Sequence, residues 1–241
     1  MRGRSVKEGD PTTAAEAGAR NLRLGFQHRG ASRLYGLEEV LLPPCVAVAK
    51  LAAAVDRGFA AGRRARGTSA SCVWNAVEGP DKGKRIEGFG FGDYGNVNGK
   101  HVNTEQRKRN CVIEVANLRN VLLFCSVLPG LADVLNFCLS KMPNMVIALV
   151  HLIDQGSVQQ QYDWHQDHRA GKGYEDVQFT FVFLLSTQPG LGGTSMQIGG
   201  KAEYHYPGPG HGVLFRSRMW HKSCLGGGAR KLVVFMKNVK R

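Results

Sequence analysis

The second half of the chain is a succession of short apolar runs separated by glycine and proline turns. Runs of four to eight residues that are rich in β-branched and aromatic side chains and end at such turns are typical of β-strands. The runs that fit this description are 145–152, 179–185, 194–198, 202–206, 212–215 and 232–237. Short strands at this spacing build jelly rolls and double-stranded β-helices. We therefore predict an α+β fold whose core is such a barrel.

The first half of the chain predicts a supporting layer of helices. Apolar residues recur near the helical period over 38–57, where Pro43 and Pro44 would lie in the first turn, and again over 131–139. The apolar run 121–153 is interrupted by prolines and charged residues, so we interpret it as core and expect no membrane span.

The domain organisation follows from the same patterns. Residues 1–35 are rich in glycine, alanine and arginine without an apolar period, so we expect a flexible basic N-terminal segment. The remainder, 36–241, is long enough for one sizeable domain, with the barrel core at about 145–241. The six cysteines form no C-x-x-C pair, which favours a reducing, intracellular compartment, cytoplasmic or nuclear.

A possible metal site lies directly after the first of these strands. His165 and Asp167 are two residues apart, so in an extended segment both side chains point to the same face. His221 follows much later and can return on another strand of the barrel. Two imidazoles and one carboxylate form the facial triad that holds non-haem Fe(II) and leaves coordination positions open.

A basic residue heads the last strand. Alternation places Arg230 on one face with Leu232, Val234 and Met236, and it places Lys231 on the other. A guanidinium among apolar neighbours needs an anion, and its planar fork suits a carboxylate. Arg230 is therefore the predicted anchor for a carboxylate ligand.

Together these features resemble the 2-oxoglutarate- and Fe(II)-dependent dioxygenases, with a motif layout similar to the prolyl-hydroxylase-like members. The likeness covers roughly 145–241. The matching motifs, in chain order, are YDWHQD (162–167), FTFVFLL (179–185), GGT (192–194), PGPG (207–210), VLF (213–215), WH (220–221) and Arg230. In one respect the chain departs from some prolyl hydroxylases. They place a tyrosine near the end of this strand to help hold the carboxylate of 2-oxoglutarate, whereas the strand at 179–185 offers only Thr180 as a polar group.

The resemblance implies a specific chemistry. Iron would be bound by His165, Asp167 and His221, and Arg230 would bind the distal carboxylate of 2-oxoglutarate. The co-substrates would be O₂ and 2-oxoglutarate, the by-products succinate and CO₂, and ascorbate the reductant. No catalytic residue is expected beyond these ligands. Because related halogenases lack the carboxylate ligand, Asp167 favours hydroxylation or oxidative demethylation.

The charge of the chain leaves the substrate class open. The formal net charge is +13, which is consistent with a solvated basic surface or with a polyanionic partner. Three functions remain: an oxygenase acting on a protein side chain such as proline, an oxygenase acting on nucleic acid, and a jelly roll that binds a ligand without catalysis. In the first two the substrate is a macromolecule.

Overall fold

The computed structural model describes residues 36–61, 72–75, 85–88, 96–97, 100–101, 109–115, 118–155, 164–168, 175–187, 192–198, 201–205, 208–223 and 228–239. The predicted flexible segment 1–35 lies outside the described residues, so its prediction stays untested.

The described chain alternates between strands and three helices. The helices are α1 (Val48–Ala61), α2 (Leu118–Val127) and α3 (Leu131–Lys141). The strands are β1 (Leu37–Leu41), β2 (Cys72–Asn75), β3 (Arg85–Gly88), β4 (Asn96–Val97), β5 (Lys100–His101), β6 (Arg109–Glu114), β7 (Met145–Asp154), β8 (Val177–Ser186), β9 (Thr194–Ile198), β10 (Lys201–His205), β11 (His211–Arg216), β12 (His221–Ser223) and β13 (Arg230–Asn238). None of the described helices has the length and apolarity needed to cross a bilayer.

Two sheets form the barrel. The major sheet has the strand order β1-β11-β8-β13-β7-β6, and its pairings are antiparallel. The minor sheet has the order β10-β9-β12, and a bridge between His165 and His221 adds the segment around His165 to its edge. This arrangement is the predicted α+β jelly roll.

The major sheet is buried on both faces. One face packs against the helices, where Leu232, Val234 and Met236 of β13 join a core with residues of α1, α2 and α3. The other face looks into the barrel, where Val233 and Phe235 pack with Met196 and other residues of the minor sheet. Because successive strand residues alternate between faces, the side chains of residues 230–236 alternate between the helical layer and the barrel interior.

The prediction of a helix over 38–57 is wrong in its first part. Residues Leu37–Leu41 form β1 at the edge of the major sheet, and the helix begins only at Val48. The ring of Pro43 disfavours helical geometry in the residue before it, so the segment leading to the prolines stays extended. The backbone N–H of Leu42 donates instead to the carbonyl of Gly210 at 2.9 Å.

The later elements agree well with the sequence. The predicted helix over 131–139 is α3, and the six predicted strands are β7, β8, β9, β10, β11 and β13, with ends that differ by at most two residues. The sequence did not single out α2 or the short strand β12. β12 has only three residues, too few to display a period.

Candidate metal centre

The structure brings His165, Asp167 and His221 together inside the barrel. Nε2 of His165 lies 3.8 Å from Oδ1 of Asp167, and Nε2 of His221 lies 3.5 Å from Oδ2. The two imidazole rings are 4.3 Å apart, centroid to centroid. One potential ligand atom from each of the three residues lies within 4.8 Å of the others, so a single metal ion can contact all three.

Backbone pairing sets the positions of the two histidines. The N–H of each donates to the carbonyl of the other at 2.9 Å, which makes His165 and His221 directly opposite residues of an antiparallel bridge. Opposite residues present their side chains on the same face. The second ring nitrogen of His221, Nδ1, lies 3.0 Å from the carbonyl oxygen of Met219. A carbonyl oxygen can only accept, so Nδ1 is the donor in this contact, and Nε2 is the nitrogen that faces Asp167 and is placed to bind a metal.

Asp167 is held by the turn that precedes β12 and by β8. Its N–H donates to the carbonyl of Ser217 at 2.9 Å, and its Oδ2 accepts a hydrogen bond from the Thr180 hydroxyl at 2.9 Å. The hydroxyls of Thr180 and Ser217, both fully buried, are 2.9 Å apart. These contacts fix the carboxylate between the two imidazoles.

The surroundings keep Asp167 ionised. Burial by itself raises the pKa of this carboxyl group, but the nearby imidazoles of His221 and His165 and the hydrogen bond from Thr180 outweigh it and lower the pKa to about 2. An ionised carboxylate between two imidazoles is the ligand form that a divalent cation requires.

The structure does not bring Arg230 to these ligands. Its guanidinium lies on the helical side of the major sheet, ion-paired with Asp154 of β7 and Asp56 of α1. It also donates to the carbonyl of Gly228 at 2.9 Å. The anion that we predicted for Arg230 is therefore present, but the protein supplies it. The predicted role in binding 2-oxoglutarate does not fit this placement, because the face of β13 that carries Arg230 packs against helices.

Lys231, and not Arg230, is the basic residue of β13 that faces the barrel interior. It is 2% exposed and points into the barrel, where Nζ donates to the carbonyl of Gly193 at 3.0 Å and to the Ser223 hydroxyl at 3.4 Å. Ser223 and His221 are two apart in β12, so they share a face and are separated by roughly 7 Å along the strand. The ammonium group therefore lies deeper in the same interior as the metal ligands.

A buried amide without hydrogen bonds lies beside this lysine. Gln155 is 1% exposed, and among the residues that the structure describes neither its Nε2 nor its Oε1 has a hydrogen-bond partner. Its N–H donates to the carbonyl of Ala229, and Ile153 is the register partner of Lys231, so Gln155 is a diagonal neighbour of Lys231 at roughly 7 Å. The Thr187 hydroxyl likewise has no hydrogen-bond partner within the described part of the chain. Buried polar atoms without partners are destabilising, and an anionic ligand would accept hydrogen bonds from the Gln155 amide nitrogen and the Thr187 hydroxyl.

The backbone of Gly192 packs closely against Ala229 and Thr187 at the end of the barrel that holds Lys231. Its φ is +76°, and a Cβ there would lie 2.7 Å from Cβ of Ala229 and 2.8 Å from Oγ1 of Thr187. Only glycine fits such a backbone conformation at such close approach. The turn that Gly192 makes brings the Gly193 carbonyl to the ammonium of Lys231.

Three residues next to the ligands in sequence lie around the centre without entering it. His168 contacts the Val177 carbonyl through Nδ1 at 3.1 Å and Arg218 through Nε2 at 3.3 Å, so it belongs to the surroundings of the site. Trp220 is 48% exposed. Trp164 is half-buried, and the Lys222 ammonium lies 5.2 Å from its ring. Both tryptophans neighbour a histidine in sequence, and alternation directs their side chains away from the barrel interior.

Comparison with known proteins identifies the fold. No protein-family model matches the sequence, and no curated protein matches it either. Among solved structures, a 2OG-Fe(II) oxygenase family oxidoreductase of Burkholderia pseudomallei is similar, with a TM-score of 0.51, 14% identity, and coverage of 98% of this chain and 97% of its own. EvdO2 of Micromonospora carbonacea, solved with 2-oxoglutarate, has a TM-score of 0.52 and 14% identity over 89% of this chain and 93% of its own.

A third similar structure is a prolyl hydroxylase of Trichoplax adhaerens in complex with a hypoxia-inducible-factor peptide. Its TM-score is 0.50 at 11% identity, over 95% of this chain and 94% of its own. The chain therefore has the jelly-roll fold of the 2-oxoglutarate- and Fe(II)-dependent oxygenases, and the resemblance seen in the sequence is confirmed at the level of the fold. A prolyl hydroxylase is among the proteins that share it.

Proposed function

We propose that this protein is a 2-oxoglutarate- and Fe(II)-dependent oxygenase that hydroxylates or oxidatively demethylates its substrate. The observation that carries the proposal is the convergence of His165, Asp167 and His221 on one point inside a barrel of this fold. Two imidazoles and a carboxylate on one side of a metal ion are the ligand set of non-haem Fe(II) oxygenases, because they leave the other side open.

The interior next to this centre suits the co-substrate. Lys231 supplies a buried cation for the distal carboxylate of 2-oxoglutarate, and the Gln155 amide supplies unused hydrogen-bonding groups. We therefore assign the anchoring role to Lys231 in place of Arg230. Held by His165, Asp167 and His221, Fe(II) would supply oxygen activation coupled to the decarboxylation of 2-oxoglutarate to succinate and CO₂, and ascorbate would keep the iron in its Fe(II) state.

The chain's own residues hold this geometry and limit the entry of water. Thr180 and Ser217 orient Asp167, and the Met219 carbonyl orients His221. Phe215 packs against the ring of His221 at 4.6 Å between centroids. A rigid site with apolar walls places the reacting groups and keeps bulk water away from them.

Two substrate classes follow from the proposal. A protein side chain such as proline is supported by the likeness to a prolyl hydroxylase that binds a peptide. Nucleic acid is supported by the net charge of +13 and by a basic surface beside the metal centre.

The proposal is tested by titrating anaerobic protein with Fe(II) and then 2-oxoglutarate. We expect the visible charge-transfer band of an iron–keto-acid chelate. Asp167→Ala should abolish the band, Lys231→Ala should shift its appearance to higher 2-oxoglutarate concentration, and Arg230→Lys, which preserves the charge that pairs with Asp154, should leave it unchanged. Absence of the band from wild-type protein with a folded circular dichroism spectrum would reject the oxygenase and favour a jelly roll that binds without catalysis.

A further inference from the structure

Two exposed arginines flank a residue that supports the metal centre. Ser217 is fully buried and contacts Asp167 through its carbonyl and Thr180 through its hydroxyl. Arg216 and Arg218, on either side of it, are exposed. One turn of chain therefore presents two guanidinium groups to solvent while its middle residue holds a candidate iron ligand.

The two arginines line one groove. It has a volume of about 400 Å³ and is bordered by Met145, Gln178, Phe179, Arg216, Arg218 and Asn238. Its polar lining consists of two guanidinium groups and two amides, and none of these six residues is acidic. Such a lining offers hydrogen-bond donors in excess, which suits an anion.

Within the described parts of the chain, neither guanidinium is ion-paired with a carboxylate. Nη2 of Arg218 lies 3.3 Å from Nε2 of His168. The Arg216 side chain packs against the backbone of Gly36, so closely that a Cβ added to Gly36 would be only 2.9 Å from Nε of Arg216. Arg230 differs sharply, because two aspartates neutralise it. Planar guanidinium forks without a protein carboxylate bind phosphate oxygens in pairs.

An exposed indole follows the two arginines along the chain. Trp220 is 48% exposed and follows Arg218 by two residues. Trp220 directly precedes β12 and lies two residues before Lys222, so alternation puts both on the outer face, opposite to His221. The bridge between His165 and His221 places Trp164 across from Lys222. An exposed indole near basic side chains is an arrangement on which unpaired bases stack in proteins that bind single-stranded nucleic acid.

From these observations we infer that the protein binds single-stranded nucleic acid beside its metal centre, with phosphates in the groove of Arg216 and Arg218 and a base stacked on Trp220. As a statement about the substrate, this inference rests on the proposed oxygenase function. The net charge of +13 favours the same partner, because a polyanion releases counterions when basic side chains neutralise it. An acidic polypeptide would use the arginines but would have no need of the exposed indole.

Binding is measured by fluorescence anisotropy with the full chain, without iron, and with labelled single-stranded RNA and DNA of about 12 nucleotides. Leaving out iron separates this test from the oxygenase test, which depends on the iron chelate. We expect binding that weakens as salt rises. In Arg216→Gln/Arg218→Gln the affinity should fall by about tenfold or more, and the salt slope should fall by about 0.7 for each phosphate that the variant no longer neutralises.

The matched control is Arg57→Gln/Arg119→Gln, which removes the same charge from exposed positions of α1 and α2 that do not line the groove. It should lower the affinity by no more than about threefold, through net charge alone. Equal losses in the two double variants would overturn the inference, since general charge would then explain the binding.

Two further measurements make the base contact testable. Trp220→Ala should weaken binding by about tenfold while Trp220→Phe, which keeps an aromatic face, should retain most of it. Competition by polyglutamate as strong as that by unlabelled RNA would overturn the inference in favour of an acidic polypeptide. Tighter binding of RNA than of DNA, or the reverse, would support it and identify the natural strand.

Discussion

Arg230 and Lys231 are neighbours in β13, but their side chains lie on opposite faces of the major sheet. The guanidinium is ion-paired with Asp154 and Asp56 on the helical side, whereas the ammonium donates to the Gly193 carbonyl inside the barrel. Alternation makes this separation unavoidable for consecutive strand residues. One basic group is therefore structural, and the other can reach a ligand, so their variants should differ in phenotype.

Replacement of Lys231 should impair co-substrate binding. Lys231→Ala removes a charge-assisted hydrogen bond to the distal carboxylate, so we expect the dissociation constant of 2-oxoglutarate to rise by about 10- to 100-fold in anaerobic titrations. 2-Oxobutyrate, a keto acid without that carboxylate, serves as the control and should bind wild type and variant equally. A 2-oxoglutarate affinity that is unchanged in Lys231→Ala would place the anchor elsewhere.

Replacement of Arg230 should reduce stability. Arg230→Ala leaves Asp154, which is 1% exposed, without its guanidinium partner, and the free energy of unfolding should fall by about 3 kcal/mol in urea titrations. Asp56→Asn is the matched comparison at the other end of the network. Because the Asp56 side chain is 49% exposed, its loss should cost less than about 1 kcal/mol. Equal effects of the two variants would contradict this assignment.

The support of Asp167 by Thr180 should appear in metal affinity. Thr180→Val keeps the shape of the side chain but removes the donor to Oδ2. We expect Mn(II), a redox-stable stand-in for Fe(II), to bind about 10- to 100-fold more weakly by calorimetry. If the Mn(II) affinity is unchanged and only the free energy of unfolding falls, the hydroxyl supports the fold and not the metal ligand.

Gln155 offers a variant whose effects on stability and on binding should oppose each other. Gln155→Leu removes a buried amide that lacks hydrogen bonds, so the ligand-free protein should gain about 1 kcal/mol in its free energy of unfolding. The same change should weaken 2-oxoglutarate binding, because the ligand loses a hydrogen-bonding group. Loss of stability together with unchanged 2-oxoglutarate affinity would show that the amide serves the fold and not the ligand.

Much of the barrel and of the site could be predicted from local patterns. Apolar runs bounded by glycine and proline located six of the strands, and the spacing of His165 and Asp167 placed both side chains on one side of the chain. The register in which the His165 segment meets β12 is not a local property. It depends on pairing between distant segments, which the structure shows as the bridge from His165 to His221.

The sequence by itself determined the class of fold, the His165 and Asp167 pair, and the alternation of Arg230 and Lys231, because each depends on a period of two along an extended chain. Only the tertiary structure decided which of the two basic residues faces the barrel. Both faces of β13 are apolar, since helices cover one and the minor sheet covers the other. A strand buried on both sides carries no sequence signal of which side is inside, so packing alone turns Lys231 toward the metal centre.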